Sequence, residues 1–122
     1  MHNAAVVKKE LIAASTEPLL LSILARGENY GYALIQKVRE TSGGHICWTD
    51  GMLYPVLHRL EKQGQIKARW KTSETGRKRK YYSIKNKGRV ALDQAQEQWR
   101  VVTETLNLLS GPGYVRSRSS HP

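Results

Sequence analysis

The spacing of apolar residues changes near residue 65, and this change restricts the fold more than any other feature of the sequence. Before it, apolar residues recur every three or four positions, as on one face of an α-helix. In residues 66–71 and 80–84, apolar side chains instead alternate with polar or charged ones. The turn residues 72–76 lie between these two stretches, an arrangement that is typical of a β-hairpin. A last stretch with helical spacing follows. The sequence therefore predicts a mainly α fold with a small β-hairpin (α+β), in winged helix-turn-helix order, plus a long C-terminal helix.

Three helices are predicted before the hairpin. The first covers residues 4–26, with a kink or restart near residue 16, because residues 15–18 combine cap residues with a proline that suits a first turn. The second covers about residues 30–41. The third begins after Thr49 and Asp50, which are both good N-cap residues, and runs to residue 63, before a glycine.

The last predicted helix, residues 86–109, carries an apolar stripe in heptad spacing. The stripe consists of Leu92, Ala95, Trp99, Val102, Leu106 and Leu109. A helix of about 36 Å with such a stripe is expected to form a homodimer interface. Residues 1–85 are then the winged helix-turn-helix domain, and residues 110–122, which are rich in Gly, Pro, Ser and Arg, are predicted to be a disordered tail.

The net charge is concentrated in one segment. Residues 62–89 contain eleven basic side chains and one acidic side chain, Glu74, which equals the +10 of the whole chain. A charge run alone is usually a solvated face. Here it adjoins the predicted helix-turn-helix, so contact with a nucleic acid is expected.

The third helix and the hairpin suit duplex DNA for different reasons. A helix fits the major groove, and a basic hairpin tip can follow the adjacent backbone or enter a minor groove. Near the start of the second helix, Tyr32 is expected at the DNA backbone, whereas Tyr30 is expected in the core. The predicted DNA-binding residues are Tyr32, Thr49, Gly51, Tyr54, His58, Lys62, Lys71, Arg77, Lys78, Arg79 and Lys80.

Other classes of protein find little support in the sequence. The apolar run 19–25 is too short to span a bilayer, which takes about 20 residues, and the N-terminus does not resemble a secretory signal. The single cysteine, Cys47, fits a reducing cytoplasm and is expected to pack in the core. With His45 it provides too few ligands for a metal site. No catalytic set or phosphate-binding loop is present, so neither enzymatic activity nor a cofactor is expected.

Several ordered motifs over about residues 17–105 resemble the PadR family of bacterial transcriptional regulators. They are Tyr30-Gly31-Tyr32, Leu53-Tyr54-Pro55, His58-Arg59-Leu60-Glu61 and Gly76-Arg77-Lys78-Arg79-Lys80-Tyr81-Tyr82. The resemblance implies a winged-helix dimer that represses promoters and releases DNA when a small molecule binds. With one C-terminal helix, the chain resembles the short type, which includes regulators that bind planar aromatic or multidrug compounds. One departure is Lys85-Asn86 where the family often has a Thr cap, and Asn86 is expected to replace it.

Trp99 invites two interpretations. On the residues alone it belongs to the dimer core. By resemblance to drug-binding short members, it and its symmetry mate also form walls of a pocket for an aromatic effector. The residues implied for that pocket are Leu11, Ala14, Trp99, Val102 and Thr103.

The leading hypothesis is a dimeric repressor that places two third helices in successive major grooves. It predicts a palindromic operator with half-sites about one turn apart. The main alternative is an RNA- or ribosome-associated basic protein, although the exposed face lacks the paired stacking aromatics expected for single strands. A winged helix used only for protein assembly is a third possibility, and it leaves the basic hairpin unexplained.

Overall fold

Four helices and a three-stranded antiparallel sheet form the described part of the chain, which in the computed structural model is residues 6–113 and residue 115. The elements are α1 (Lys9–Leu24), β1 (Asn29–Tyr30), α2 (Gly31–Thr41), α3 (Asp50–Lys62), β2 (Ile66–Thr72), β3 (Lys78–Ile84) and α4 (Asn86–Leu109). The predicted fold class is confirmed, because helices α1 to α3 precede the β2–β3 hairpin and a long helix follows it. None of the described helices combines the length and apolar character that crossing a bilayer requires.

Helix α1 is continuous, so the restart predicted near residue 16 is wrong. Pro18 lies inside the helix. The hydroxyls of Ser15 and Thr16 donate to the carbonyl of Ile12, at 3.0 and 2.7 Å, rather than capping a new helix. The helix also ends at Leu24, two residues before the predicted end. Residues 4 and 5 of the predicted helix lie outside the described residues.

One hydrophobic core joins the first three helices to the hairpin and to the start of α4. Its buried members are Leu20, Leu21, Leu24, Leu34, Val38, Trp48, Leu53, Leu57, Leu60, Ile66, Tyr82 and Leu92. The prediction that Cys47 packs in the core is wrong, because Cys47 is exposed and the neighbouring Trp48 is buried. The larger indole occupies the interior, where it removes more apolar surface from water than a thiol would.

The hairpin extends further than its alternating pattern indicated, and a third strand joins it. Strand β2 pairs with β3 over its full length, from Ile66 opposite Ile84 to residues 72 and 78 at the far end. The two-residue strand β1 adds to the other edge of β3, where Tyr30 is opposite Tyr81. Tyr30 was predicted to lie in the core on one face of α2. That prediction is wrong, because Tyr30 is half-buried in strand β1. Its ring meets that of Tyr81 edge-on, with centroids 5.3 Å apart.

The starts of α3 and α4 are fixed in different ways. At α3 the predicted N-cap is confirmed: the Thr49 hydroxyl accepts a hydrogen bond from the backbone N–H of Met52 at 3.3 Å. At α4 the cap position is Lys85, whose side chain forms no capping bond, so the cap role expected for Asn86 is wrong. The backbone N–H of Lys85 instead donates to the carbonyl of Gln65 at 2.9 Å. A tertiary contact thus replaces a capping side chain.

Helix α4 leaves the core along its length. Leu92, near its start, is 6% exposed, whereas Val102, Leu106 and Leu109 are exposed. Helix α1 packs against α4. Residues 110–113 form a turn after α4, and most of the tail predicted to be disordered, residue 114 and residues 116–122, lies outside the described residues.

Candidate nucleic-acid interface

A groove of about 630 Å³ lies between the outer side of α3, the start of α2 and the hairpin. It is lined by Tyr30, Gly31, Tyr32, Tyr54, His58, Trp70, Arg77, Lys78, Arg79, Lys80 and Tyr82. Seven of the eleven residues predicted to bind DNA are among them: Tyr32, Tyr54, His58 and the four consecutive basic residues 77–80. The structure thus brings the aromatic and the basic parts of the prediction to one surface.

The α3 wall of the groove follows from the way this helix is buried. Its leucines face the core, so Tyr54 and His58, four residues apart, lie together on the opposite side. The Tyr54 hydroxyl occupies the space where a Cβ of Gly31 would lie. Glycine at the start of α2 therefore allows the recognition-type helix α3 to pack its tyrosine directly over the backbone of α2.

The hairpin wall depends on the alternation of side chains along a strand. In the register of β2 with β3, Trp70 is opposite Lys80, and Lys78 is on the same face two residues along. Arg79 points from the other face, and its guanidinium lies 4.3 Å from the centroid of the Tyr30 ring at the groove edge. No Asp or Glu among the described residues lines the groove, so its charge is entirely cationic.

Glu28 neutralises part of the opposite face of the hairpin. Its carboxylate accepts hydrogen bonds from Lys71 at 2.6 Å and from Arg69 at 3.1 Å. These hydrogen bonds lower the pKa of Glu28 below its usual value, and the bond from Lys71 has the larger effect. Lys71 also lies 4.4 Å from the centroid of the Tyr81 ring. This predicted DNA-binding lysine is thus outside the groove and paired within the protein.

Three other predicted residues also lie outside the groove lining. Thr49 and Gly51 are exposed at the N-terminal end of α3, and Lys62 is exposed in its last turn. The hydroxyl of Thr49 serves as the helix cap. They extend the exposed side of α3 beyond both ends of the groove.

Four groove residues were not among those predicted to bind DNA: Tyr30, Gly31, Trp70 and Tyr82. Of these four, Trp70 is the exposed one. In the sequence, Trp70 alternates with charged residues in the same way as Ile66 and Ala68, yet 66% of Trp70 is exposed. The position of Trp70 near the end of β2 could have indicated this exposure, because a hairpin that projects from a small core leaves its outer residues uncovered. In contrast, Tyr82 on the groove floor is buried, and burial raises its pKa to about 12, so it stays protonated at neutral pH.

The residues predicted to bind an effector lie elsewhere. Leu11 and Ala14 are exposed on α1, Val102 and Thr103 are exposed on α4, and Trp99 is half-buried. None of them lines the clefts described around the groove and along α1 and α2. Among the described residues, no group of three or more His, Cys, Asp or Glu side chains is placed to hold a metal ion.

The apolar stripe of α4 divides into two parts. Leu92, which was predicted to lie at the dimer interface, is buried in the core of the protomer. The other stripe residues are half-buried or exposed, from Ala95 to Leu109. The free part of the stripe therefore occupies the distal two thirds of the helix.

Comparison with known proteins places this geometry among regulators of transcription. The sequence profile of the Transcriptional regulator PadR-like family matches residues 20–94, which include α3, the hairpin and the groove. The transcriptional regulator YqjI of Escherichia coli is 30% identical over 88 residues, which are 72% of this chain and 41% of that protein. The chain thus spans less than half of that regulator.

Solved structures give the same match over most of the chain. A transcriptional regulator from Clostridium thermocellum superposes with a TM-score of 0.76 at 29% identity, covering 84% of this chain and 96% of the other. A PadR-like transcriptional regulator from Bacillus cereus gives a TM-score of 0.74 at 32% identity, covering 84% and 98%.

Proposed function

The chain belongs to the PadR-like family of transcriptional regulators, and we propose that it is a dimeric repressor whose operator is released when a small aromatic effector binds at the dimer interface. The resemblance found in the sequence motifs is confirmed at the level of the family. Membership makes the chain a DNA-binding regulator and not an enzyme. The short type, the repression and the effector are part of the proposal, as is action in the cytoplasm.

The groove between α3 and the hairpin is the observation that carries the proposal. It combines an exposed helix face with basic residues 77–80 and has no carboxylate in its described lining. A helix beside a basic hairpin suits duplex DNA, because the helix can enter the major groove while the hairpin neutralises adjacent phosphates.

The free part of the α4 stripe supports pairing with a second copy. Val102, Leu106 and Leu109 form a contiguous apolar row that the described part of the protomer leaves exposed. The heptad positions that flank the row are uncharged, so two identical helices meet without like-charge repulsion. These flanking residues are Gln96, Gln98, Thr103 and Thr105. Two-fold pairing then predicts a palindromic operator with half-sites about one turn apart.

The same interface supports an effector site that one protomer cannot complete. Trp99 is half-buried on α4, and α1, which carries Leu11 and Ala14, packs against that helix. A second copy would bring its own Trp99, Val102 and Thr103 to the opposite wall. Two indoles facing each other suit a planar aromatic ligand.

RNA is the competing ligand that one specific observation favours. The groove brings together three exposed aromatic side chains, Tyr32, Tyr54 and Trp70, although the sequence showed no paired stacking aromatics. Stacking on aromatic rings is typical of single-strand recognition. A direct comparison of duplex DNA with RNA of equal length is therefore part of the test.

The test is binding of the full chain to a labelled fragment from the region upstream of its own gene, against a scrambled duplex and an RNA of equal length. A specific regulator prefers the native duplex by about 10³-fold or more, and its affinity falls steeply between about 50 and 200 mM salt. Equal binding to both duplexes contradicts sequence-specific regulation. Preference for the RNA favours the alternative, and no binding to either favours a role in protein assembly.

The effector is tested in the same assay with planar cations and phenolic acids. A ligand of the proposed site releases the native fragment and quenches Trp99. A dimeric Trp99→Ala variant that binds the same compounds equally well would contradict the site.

A further inference from the structure

The hairpin face that covers the core continues beyond it. Along this face, Ile66 and the pair Ala68–Tyr82 pack on the helices, with Ile66 and Tyr82 buried. The next cross-strand pair is Trp70–Lys80, and Trp70 is the most exposed large apolar side chain of the sheet. The apolar stripe of the hairpin thus projects into solvent by one residue pair.

Packing within the chain does not account for Trp70. Within the described residues, its indole makes no hydrogen bond and no ring contact. An indole left in water forgoes the hydrophobic stabilisation that burial would provide. Trp70 is not isolated, because exposed Tyr32 and Tyr54 line the same groove and give it apolar as well as cationic surface. The groove that Trp70 lines also contains Tyr54 and His58 from α3 and Lys78 and Lys80 from β3.

The position of Trp70 fixes the part of the DNA that it can reach. It lies between α3, which the proposed function places in a major groove, and the basic tip of the hairpin, which in the same arrangement would reach the adjacent minor groove. The sugar–phosphate strand that separates the two grooves would then pass between these elements. That strand presents apolar deoxyribose carbons as well as phosphates, and the lysines beside Trp70 match the phosphates.

Resting on the proposed DNA-binding function, we infer that Trp70 is an apolar DNA contact that packs against the deoxyribose units of the strand between the two grooves. It adds affinity without neutralising a phosphate. Its contribution is therefore independent of salt, whereas each lysine contact displaces a counterion and makes affinity more sensitive to salt.

The test compares Trp70→Ala with Lys80→Ala on the native upstream duplex across a salt series. Trp70→Ala lowers affinity by about tenfold at every salt concentration, as aromatic contacts with nucleic acids commonly do, and leaves the slope of log K against log salt unchanged. Lys80→Ala lowers the slope by about one. Lys67→Ala, on the other face of β2, is the control for a cation outside the groove.

A second measurement follows Trp70 directly. Trp70→Phe removes one of the three indoles and keeps an aromatic ring, so the difference in acrylamide quenching between wild type and this variant isolates Trp70. Duplex DNA protects that component from quenching, and Trp70→Phe retains more affinity than Trp70→Ala. Thermal unfolding of the free variants confirms that the exposed substitution leaves the fold intact.

The outcomes separate this inference from the function on which it rests. Wild-type affinity in Trp70→Ala, a loss accompanied by a lower salt slope, or quenching unchanged by DNA overturns the contact and leaves the DNA-binding proposal standing. A wild-type protein that binds no duplex overturns both.

Discussion

Glu28 determines which cations of the hairpin remain available to a partner. It lies in the loop between α1 and β1, and it holds Lys71 and Arg69 on the face of the hairpin away from the groove. These partners are 43 and 41 residues away in the chain. Sequence reasoning could find the groove cations, which are consecutive, but it could not predict that a distant carboxylate neutralises Lys71.

Replacement of Glu28 by Gln is expected to strengthen binding to any duplex. Gln keeps the shape of the side chain but not its charge, so it releases Lys71 and Arg69. Lys71 is opposite Arg79, which lines the groove, and can therefore reach phosphates at the groove edge. The salt slope steepens by up to about two, as measured by anisotropy with the scrambled duplex. Glu74→Gln makes the same change of net charge in the hairpin turn without releasing an ion pair. If the two variants behave alike, the effect is one of net charge only.

The pH dependence of this ion pair has a definite sign. Hydrogen bonds from Lys71 and Arg69 lower the pKa of Glu28 in the folded state below its usual 4.5. The pair therefore stabilises the fold above pH 4.5, and this contribution is lost as the pH falls through the lower folded pKa. The side chain of Glu28 is only partly buried, so solvent screens the ion pair and the change is small. It disappears in Glu28→Gln.

Among the elements, those with strong local signals were predicted and those fixed by distant partners were not. Helix α3 and the hairpin follow from apolar spacing, a Thr49 cap and a turn. Strand β1 has only two residues and exists because β3 offers a free edge. The start of α4 depends on how closely Gly88 approaches the turn before β2, where its missing Cβ would overlap the carbonyl oxygen of Gln65.

Gly88 and Gly51 are both helical glycines, yet replacement by Ala is expected to change stability in opposite directions. Ala normally stabilises a helix by about 1 kcal/mol relative to Gly. At Gly51 the added methyl meets only the Thr49 hydroxyl at 3.9 Å. At Gly88 it meets backbone, which cannot move without displacing α4, so Gly88→Ala lowers the free energy of unfolding by roughly 1–3 kcal/mol.

Urea unfolding of the two variants checks this prediction. Gly51→Ala raises the free energy of unfolding, and Gly88→Ala lowers it. A stabilising effect at Gly88 would mean that α4 does not pack closely on the turn.

At the scale of the whole molecule, the apolar stripe of α4 has two parts: its start packs in the core of the protomer, and its exposed remainder is the proposed dimer interface. The heptad spacing identified the stripe, but spacing alone could not show that Leu92 belongs to the protomer core while Leu106, among the described residues, is left 59% exposed. That distinction requires the position of α4 relative to α1 and the sheet. The groove and the free stripe are therefore separate surfaces of one protomer.

Leu106→Glu is expected to convert the proposed dimer to a monomer, because it places two like charges opposite each other in an apolar seam. Sedimentation shows the change of mass, and the monomer loses affinity for a palindromic operator while keeping weak binding to a half-site. Leu108→Glu is the matched control, because Leu108 is 76% exposed and lies outside the stripe. A dimeric Leu106→Glu variant would place the interface elsewhere.

The two residues of β1 have a mechanical consequence. They tie the segment that leads into α2 to the inner strand of the hairpin, and the phenol of Tyr54 couples that same segment to α3. A swing of the hairpin relative to this segment has to break strand pairing, which favours movement of α2, α3 and the hairpin as a unit. In the proposed dimer, a ligand between the two protomers would then change the distance between the two hairpin tips without bending either hairpin.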